Sequence, residues 1–174
     1  INAQEGFFDV ESVWPKLEQA LRQAISNLVA MRETEGSNIY GDFIKRADLI
    51  AEKLAVIEER SPQVVEEYQI RLSDRINELL AKHNQVIEPE RLLQEVAIFA
   101  DRTSITEEIV RLKSHIKQFK LIIDADQPVG RKLDFLIQEF NREANTIASK
   151  ANDYTLAQVV VEIKAEIEKI REQI

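Results

Sequence analysis

No cysteine occurs in this chain. Its absence excludes disulfides, thiolate metal sites and covalent catalysis through sulfur. Two histidines are too few for a histidine-rich metal centre. Glycine and proline number only four each in 174 residues. Glu, Lys, Gln, Leu, Ile and Ala dominate instead, a composition that points to a nearly all-helical protein. No apolar run approaches the roughly 20 residues of a membrane span, and no signal-peptide pattern opens the chain. The expectation is a soluble, cytoplasmic protein. An initiator methionine is missing as well, and the last residues, EIKAEIEKIREQI, stop inside an unfinished helical pattern. This reads as a fragment of a longer chain. Among catalytic signatures, no Walker loop, dinucleotide fingerprint, HExxH or nucleophile elbow is present.

What is present is charge, unevenly spread over a hydrophobic content of 44%. Net charge is −8. Residues 1–101 carry 19 acidic and 11 basic groups, whereas residues 102–174 carry 12 of each. An acidic chain is a poor general binder of nucleic acid, because phosphate contacts need Lys and Arg. A polyanion therefore belongs on the second part, where carboxylates can also hold a divalent cation that bridges to phosphate.

The chain divides into a lead-in over 1–8, a helical segment over 9–101 and a C-terminal helical domain over 102–174. Asp9 or Ser12 caps a first helix, with Val13, Trp14, Leu17, Leu21, Ala24, Ile25, Leu28 and Met31 on its apolar face. Gly36 ends or interrupts it. A second helix over 37–60 carries Ile39, Phe43, Ile50, Leu54 and Ile57. Ser61-Pro62 then reads as the cap and first residue of a third, reaching about Lys82. So short a link predicts a long antiparallel hairpin. His83-Asn84 breaks that pattern. The next helix, from Pro89, buries Leu92, Leu93, Val96, Ala97 and Phe99. Ser104-Ile105-Thr106-Glu107 is a capping box opening another, with Ile105, Ile109, Leu112, Ile116, Phe119 and Ile123 inward. The expected fold is all-α, a long helical hairpin arm plus a helical bundle.

Gly130 to Asp153 organises the second part. Leu133, Leu136, Ile137, Phe140, Ala144, Ile147, Ala148 and Ala151 form one stripe about 120° wide. Asp134, Gln138, Asn141 and Asn145 line one flank, and Lys132, Glu139, Glu143 and Lys150 another. Asn141, Asn145, Thr146 and Ser149 are poor choices for mid-helix, which suggests a polar surface with a task.

The candidate constellation is Glu108, Arg111 and His115 on one helix with Glu139, Arg142 and Glu143 on the next. Side chains three or four apart share a helix face. If the two helices pack antiparallel, the carboxylates converge on one hard cation able to polarise a phosphate oxygen. His115 can serve as general acid or base, and Arg111, Arg131 and Arg142 can clamp phosphate oxygens. The bland alternative is a set of ordinary intrahelical ion pairs. Lys113, Lys117 and Lys120 are a solvated face or a phosphate track.

Four segments carry a resemblance: ALRQAISNLVAMRETEGSNI (Ala20 to Ile39), RLLQEVAIFADRTSITEEIVRLKSHIKQF (Arg91 to Phe119), PVGRKLDFLIQEFNREANTIASKAND (Pro128 to Asp153) and EIEKIREQI (Glu166 to Ile174). They resemble the YicC family of bacterial stress-induced proteins, with its YloC branch. The resemblance implies an N-terminal β-containing domain ahead of this segment. It also implies a metal-dependent endoribonuclease acting on single-stranded RNA, not DNA, with Mn or Mg as cofactor and a homo-oligomer, a hexamer, as the working form. No membrane partner is implied. The family's RLxSH pattern stands at Arg111 to His115, and Glu107-Glu108, Gln138-Glu139, Arg142-Glu143 and Ser149-Lys150 are kept. Family pattern and chemistry together assign Glu107, Glu108, Glu139 and Glu143 to the metal. They assign His115, Glu139 and Glu143 to catalysis, and Arg111, Arg131, Lys132, Arg142 and Lys150 to the RNA backbone. The alternatives are a non-catalytic RNA-binding adaptor and a structural oligomeric module.

Overall fold

A computed structural model describes residues 10–81, 88–125 and 127–174. The described residues form five helices and no strand: α1 Val10–Ala81, α2 Pro89–Thr103, α3 Thr106–Ile123, α4 Gly130–Lys150 and α5 Tyr154–Arg171. The all-α expectation holds. By contacts the chain forms two units, 1–42 and 43–174, and the boundary falls within α1.

The hairpin expectation does not hold. α1 is one continuous helix through Gly36 and through Ser61-Pro62. Phe43, Ala47, Ile50, Leu54, Ile57 and Val64 are all buried along it. Their steps of four, three, four, three and seven keep one seam in register across Pro62. An interior proline removes one hydrogen bond and crowds the preceding turn, at about 3 kcal/mol. Burying a side chain such as Val64 returns about 1.5–3 kcal/mol, so packing beyond the proline competes with its local cost. Tyr68, one turn further, stacks on Phe99 of α2 with ring centroids 3.7 Å apart. Glycine inside a helix costs only about 1 kcal/mol against alanine, which is too little to end α1 at Gly36.

In the second unit α1 supplies one of four packed helices. Its residues 46, 53 and 60 pair with Glu166 and Glu162 of α5 and with Asp153, the α5 N-cap. Residues 48 and 58 pair with Lys120 and Lys113 of α3. Numbers rise on one helix as they fall on the other, so α1 runs antiparallel to both. Lys150 meets Glu108 and Arg111 faces Glu143, so α3 and α4 are antiparallel too. The result is an up-down-up-down bundle. Its core includes Leu112, Phe119, Ile137, Phe140, Ile147, Ile163 and Ile167, each fully buried. Phe119 stands between Phe43 and Phe140 at centroid distances of 5.6 and 5.9 Å, with both pairs tilted, a favoured aromatic geometry.

Arg60 ties three parts together. It donates to Glu67 on its own helix, at 2.5 and 2.9 Å, and to Asp153 at 2.8 Å. Asp153 also caps α5 by accepting from the Leu156 amide at 2.9 Å.

Further expectations are corrected. The capping box does not form: Ser104 is the C-cap of α2, and Ile105 occupies the N-cap of α3 without a side-chain hydrogen bond. On α2 only Val96 is buried, while Leu93 and Ala97 are exposed. In the first unit the stripe from Val13 to Met31 is present, but Trp14, Leu17, Leu21, Ile25, Leu28 and Met31 are exposed. Ala148 of α4 is exposed as well. The Asp9 cap and the His83-Asn84 break lie outside the described residues.

Candidate metal and RNA site between α3 and α4

The organising stripe of α4 is buried as expected over Leu133, Leu136, Ile137, Phe140, Ala144 and Ile147. Packing this stripe on α3 brings two polar flanks together along one seam. Three side chains converge there. His115 of α3 and Glu139 and Glu143 of α4 offer ligand atoms that all lie within 4.8 Å of one another. Glu143 is buried at 3% exposure, and Glu139 and His115 are half-buried. The His115 ring lies 6.4 Å from that of Phe140, near parallel. Its Nδ1 is buried and without a hydrogen-bond partner. The i, i+4 spacing of Glu139 and Glu143 puts both carboxylates on one face, and Phe140 between them anchors that face to the core.

One guanidinium group stands near each carboxylate. Arg111 ion-pairs with Glu107 one turn back and reaches Glu143 at 3.6 Å. Glu107 first, then Glu143 and Glu108, raise the Arg111 pKa further above its ordinary range, against the effect of burial. Arg142 is exposed and stands 3.7 Å from Glu139.

Glu107 and Glu108 stand apart from the three-residue group. Glu107 is the exposed partner of Arg111. Glu108 is buried, and its Oε1 accepts from Lys150 Nζ at 2.8 Å. Burial pushes the Glu108 carboxyl up. The Lys150 hydrogen bond, its own backbone amide and the charges of Lys150 and Arg111 outweigh that and hold it below the usual carboxylate range.

An open cavity of about 360 Å³ adjoins the seam beside His115. Arg131, Lys132 and Phe135 from the first turns of α4 line it with Gln118, Ile122 and Leu136. The other flank of α4 opens on a second cavity of about 500 Å³, where Gln138, Asn141, Arg142 and Asn145 are joined by Arg171 of α5. Thr146 lines this cavity too, and the hydroxyls of Thr146 and of the exposed Ser149 donate to the carbonyls of Arg142 and Thr146 on their own helix, at 3.1 and 2.9 Å. The lysine row of α3 is partly committed, since Lys113 and Lys120 pair with Glu58 and Asp48 of α1 at 2.6 and 2.5 Å.

Phe135 and Arg171 were not among the residues expected at the site. Phe135 carried a signal, being an aromatic off the apolar stripe with two cations in the preceding turn. Arg171 carried none, because only tertiary packing brings it to the amide row.

A family model described as endoribonuclease YicC-like, C-terminal, matches residues 57–174. The chain is 49% identical over all of its 174 residues to a protein of Clostridioides difficile (strain 630) named "Probable endoribonuclease YicC", and covers 59% of it. It is 35% identical, again over its whole length, to a protein of Haemophilus influenzae Rd of the same name, and covers 58% of that one. The chain thus spans about three fifths of the length of these curated relatives. No helix among the described residues is long and apolar enough to cross a membrane.

Proposed function

This chain belongs to the endoribonuclease YicC-like family, and from that premise we propose that it carries the metal-holding site of a divalent-metal-dependent endoribonuclease acting on single-stranded RNA. The convergence of His115, Glu139 and Glu143 within 4.8 Å supports this reading most directly. The donor set fits a divalent cation. Carboxylates suit Mg²⁺ and Mn²⁺, and an imidazole nitrogen moves the preference towards Mn²⁺. A cation held there supplies positive charge to a phosphoryl oxygen.

The chain's own groups do the rest. Glu139 and Glu143 hold the cation. His115 moves the proton that phosphodiester cleavage requires, imidazole being suited to proton exchange near neutral pH. Arg111 faces the phosphate, oriented by Glu107 and Glu143. Arg131, Lys132, Arg142 and Lys150 follow the RNA backbone, and Glu108 positions Lys150 through their hydrogen bond. The family resemblance further supports a homo-oligomer, a hexamer, working in the cytoplasm in regulatory RNA turnover.

The test is cleavage of a labelled single-stranded RNA by the full-length protein against a panel of metals, with native mass measured in parallel. Glu139→Gln is expected to lower the Mn²⁺-supported rate by about 100-fold or more, as loss of a carboxylate that holds the cation forfeits several kcal/mol of charge stabilisation. Undiminished cleavage in that variant, or in EDTA, sinks the reading. RNA binding that persists in EDTA without cleavage under any metal favours the adaptor.

A further inference from the structure

Phe135 has a ring with nothing to bury it. It is 63% exposed although it sits beside Leu136, which is buried at 3%. On α4 it stands four residues after Arg131 and three after Lys132, so the three side chains share one face. All three line the cavity of about 360 Å³ that ends at His115. Leu136 and Ile122 add apolar lining, and the Gln118 amide adds a donor and an acceptor. Arg131 and Lys132 form no ion pair with any described residue. Lys113, Lys120 and Lys150, by contrast, are each engaged by a carboxylate.

An exposed aromatic face, two uncommitted cations and an apolar wall fit an unstacked base with its phosphate. Every base has a π-face that stacks on an aromatic ring, and the adjoining phosphate takes the guanidinium and the ammonium. A duplex keeps its bases stacked inside and offers none to such a ring. We propose that this cavity, built on Phe135, is a stacking subsite for one unpaired nucleobase of the substrate RNA, next to the bond that the His115, Glu139 and Glu143 group addresses. This inference rests on the endoribonuclease reading and adds a physical cause for its single-strand preference. Arg131 and Lys132 hold the phosphate attached to that base, and the ring imposes little sequence preference.

The experiment uses the full-length protein and a short RNA carrying 2-aminopurine, with EDTA present so that no metal and no cleavage enter the reading. Stacking on Phe135 quenches the probe. Phe135→Ala is expected to abolish the quenching and weaken binding of the single strand about 5- to 150-fold, the span typical of base–aromatic stacking. Binding of an RNA duplex of equal length changes less than twofold. Phe135→Tyr restores both quenching and affinity, which a merely structural role for the ring would not predict. The native helical circular dichroism of Phe135→Ala confirms that the variant is folded, and a misfolded Phe135→Ala leaves Phe135→Ser and Phe135→Tyr to decide. If single-strand affinity is unchanged in the folded Phe135 variants while Glu139→Gln loses cleavage, the subsite is overturned and the nuclease reading stands. If wild-type protein binds no RNA either in EDTA or with Mn²⁺ present, both fall.

Discussion

Replacing Lys150 by methionine keeps the length of the side chain and removes its charge. Its partner, Glu108, has a side chain only 6% exposed, while that of Lys150 is 36% exposed. One Glu108 oxygen accepts from Lys150 at 2.8 Å, and the other is buried without a partner. At 2.8 Å and an effective dielectric constant of about 20, the gross attraction is about 6 kcal/mol. Desolvation of the carboxylate offsets several kcal/mol of that. Removing one member of a fully buried pair costs about 3–5 kcal/mol. The partial exposure of Lys150 lowers the expectation to about 2–3 kcal/mol at pH 7, from the same considerations.

The pH dependence follows from the direction of the shift. The folded carboxyl of Glu108 titrates below the ordinary range, hence below its unfolded value. Its contribution is therefore present above the unfolded pKa and is lost as pH falls through the folded one. In Lys150→Met burial prevails, and the folded carboxyl moves above its unfolded value. Protonation then relieves the variant, so its penalty shrinks as the pH falls from 7 towards 4.5. Urea denaturation at both pH values, on wild type, Lys150→Met, Glu108→Leu and the double variant, tests this. The double variant is expected within about 1 kcal/mol of wild type, because apolar replacement of both members is often neutral. A penalty for Lys150→Met under about 0.5 kcal/mol, the size of an exposed pair, refutes the reasoning. So does a penalty that stays constant with pH.

Two other outcomes concern the frame of the bundle. The Asp153 carboxyl is held below its ordinary range, first by the Arg60 hydrogen bond, against burial, so its contribution is lost as pH falls through the folded value. Asp153→Asn should keep the cap of α5 and lose the ion pair, whereas Asp153→Ala should lose both and cost about 1 kcal/mol more, as read by thermal melts at pH 7. A Cβ at Gly36 or Gly41 would meet nothing within 4 Å. Each glycine-to-alanine change inside α1 is therefore expected to stabilise by about 0.5–1 kcal/mol, and a loss of helicity or stability in either variant counts against an unbroken α1.

The sequence foretold the helices that bury one clean stripe and misjudged those whose fate rests on distant partners. Period alone placed Leu112, Ile116 and Phe119 on one face and Leu133, Ile137 and Phe140 on another, and both faces are buried. Local breaker rules failed at Ser61-Pro62 because the Phe43 to Val64 seam overrides a single missing amide. Ser104 could not cap α3 while it closed α2. The stripe from Trp14 to Met31 announces amphipathicity, but periodicity says nothing of what covers a face. Lys113 and Lys120 read as a solvated face or a phosphate track because their partners, Glu58 and Asp48, lie 55 and 72 positions away. The proximity of His115, Glu139 and Glu143 was expected on the condition that α3 and α4 pack antiparallel, which they do, and i, i+4 spacing then puts Glu139 and Glu143 on one face. Glu107 and Glu108, expected in the same group, stand apart from it.

Glu108 and Glu143 occupy the same interface with the same degree of burial, at 4% and 3% exposure, yet they are compensated differently. Glu108 has an ammonium at 2.8 Å. Glu143 has only the outer guanidinium of Arg111, at 3.6 Å and shared with Glu107. A buried carboxylate costs free energy unless it is paired and hydrogen-bonded, and a stripe serving stability alone would be apolar at that position. The seam instead places Glu139 and an imidazole with a buried, unpartnered nitrogen within 4.8 Å of it. One added dication would meet all three groups at once. Compensation is incomplete at both ends of the seam, since one Glu108 oxygen is also buried without a partner. What sets the Glu143 end apart is that a second carboxylate and an imidazole lie within 4.8 Å of it, the observation that supports the proposed cation site there.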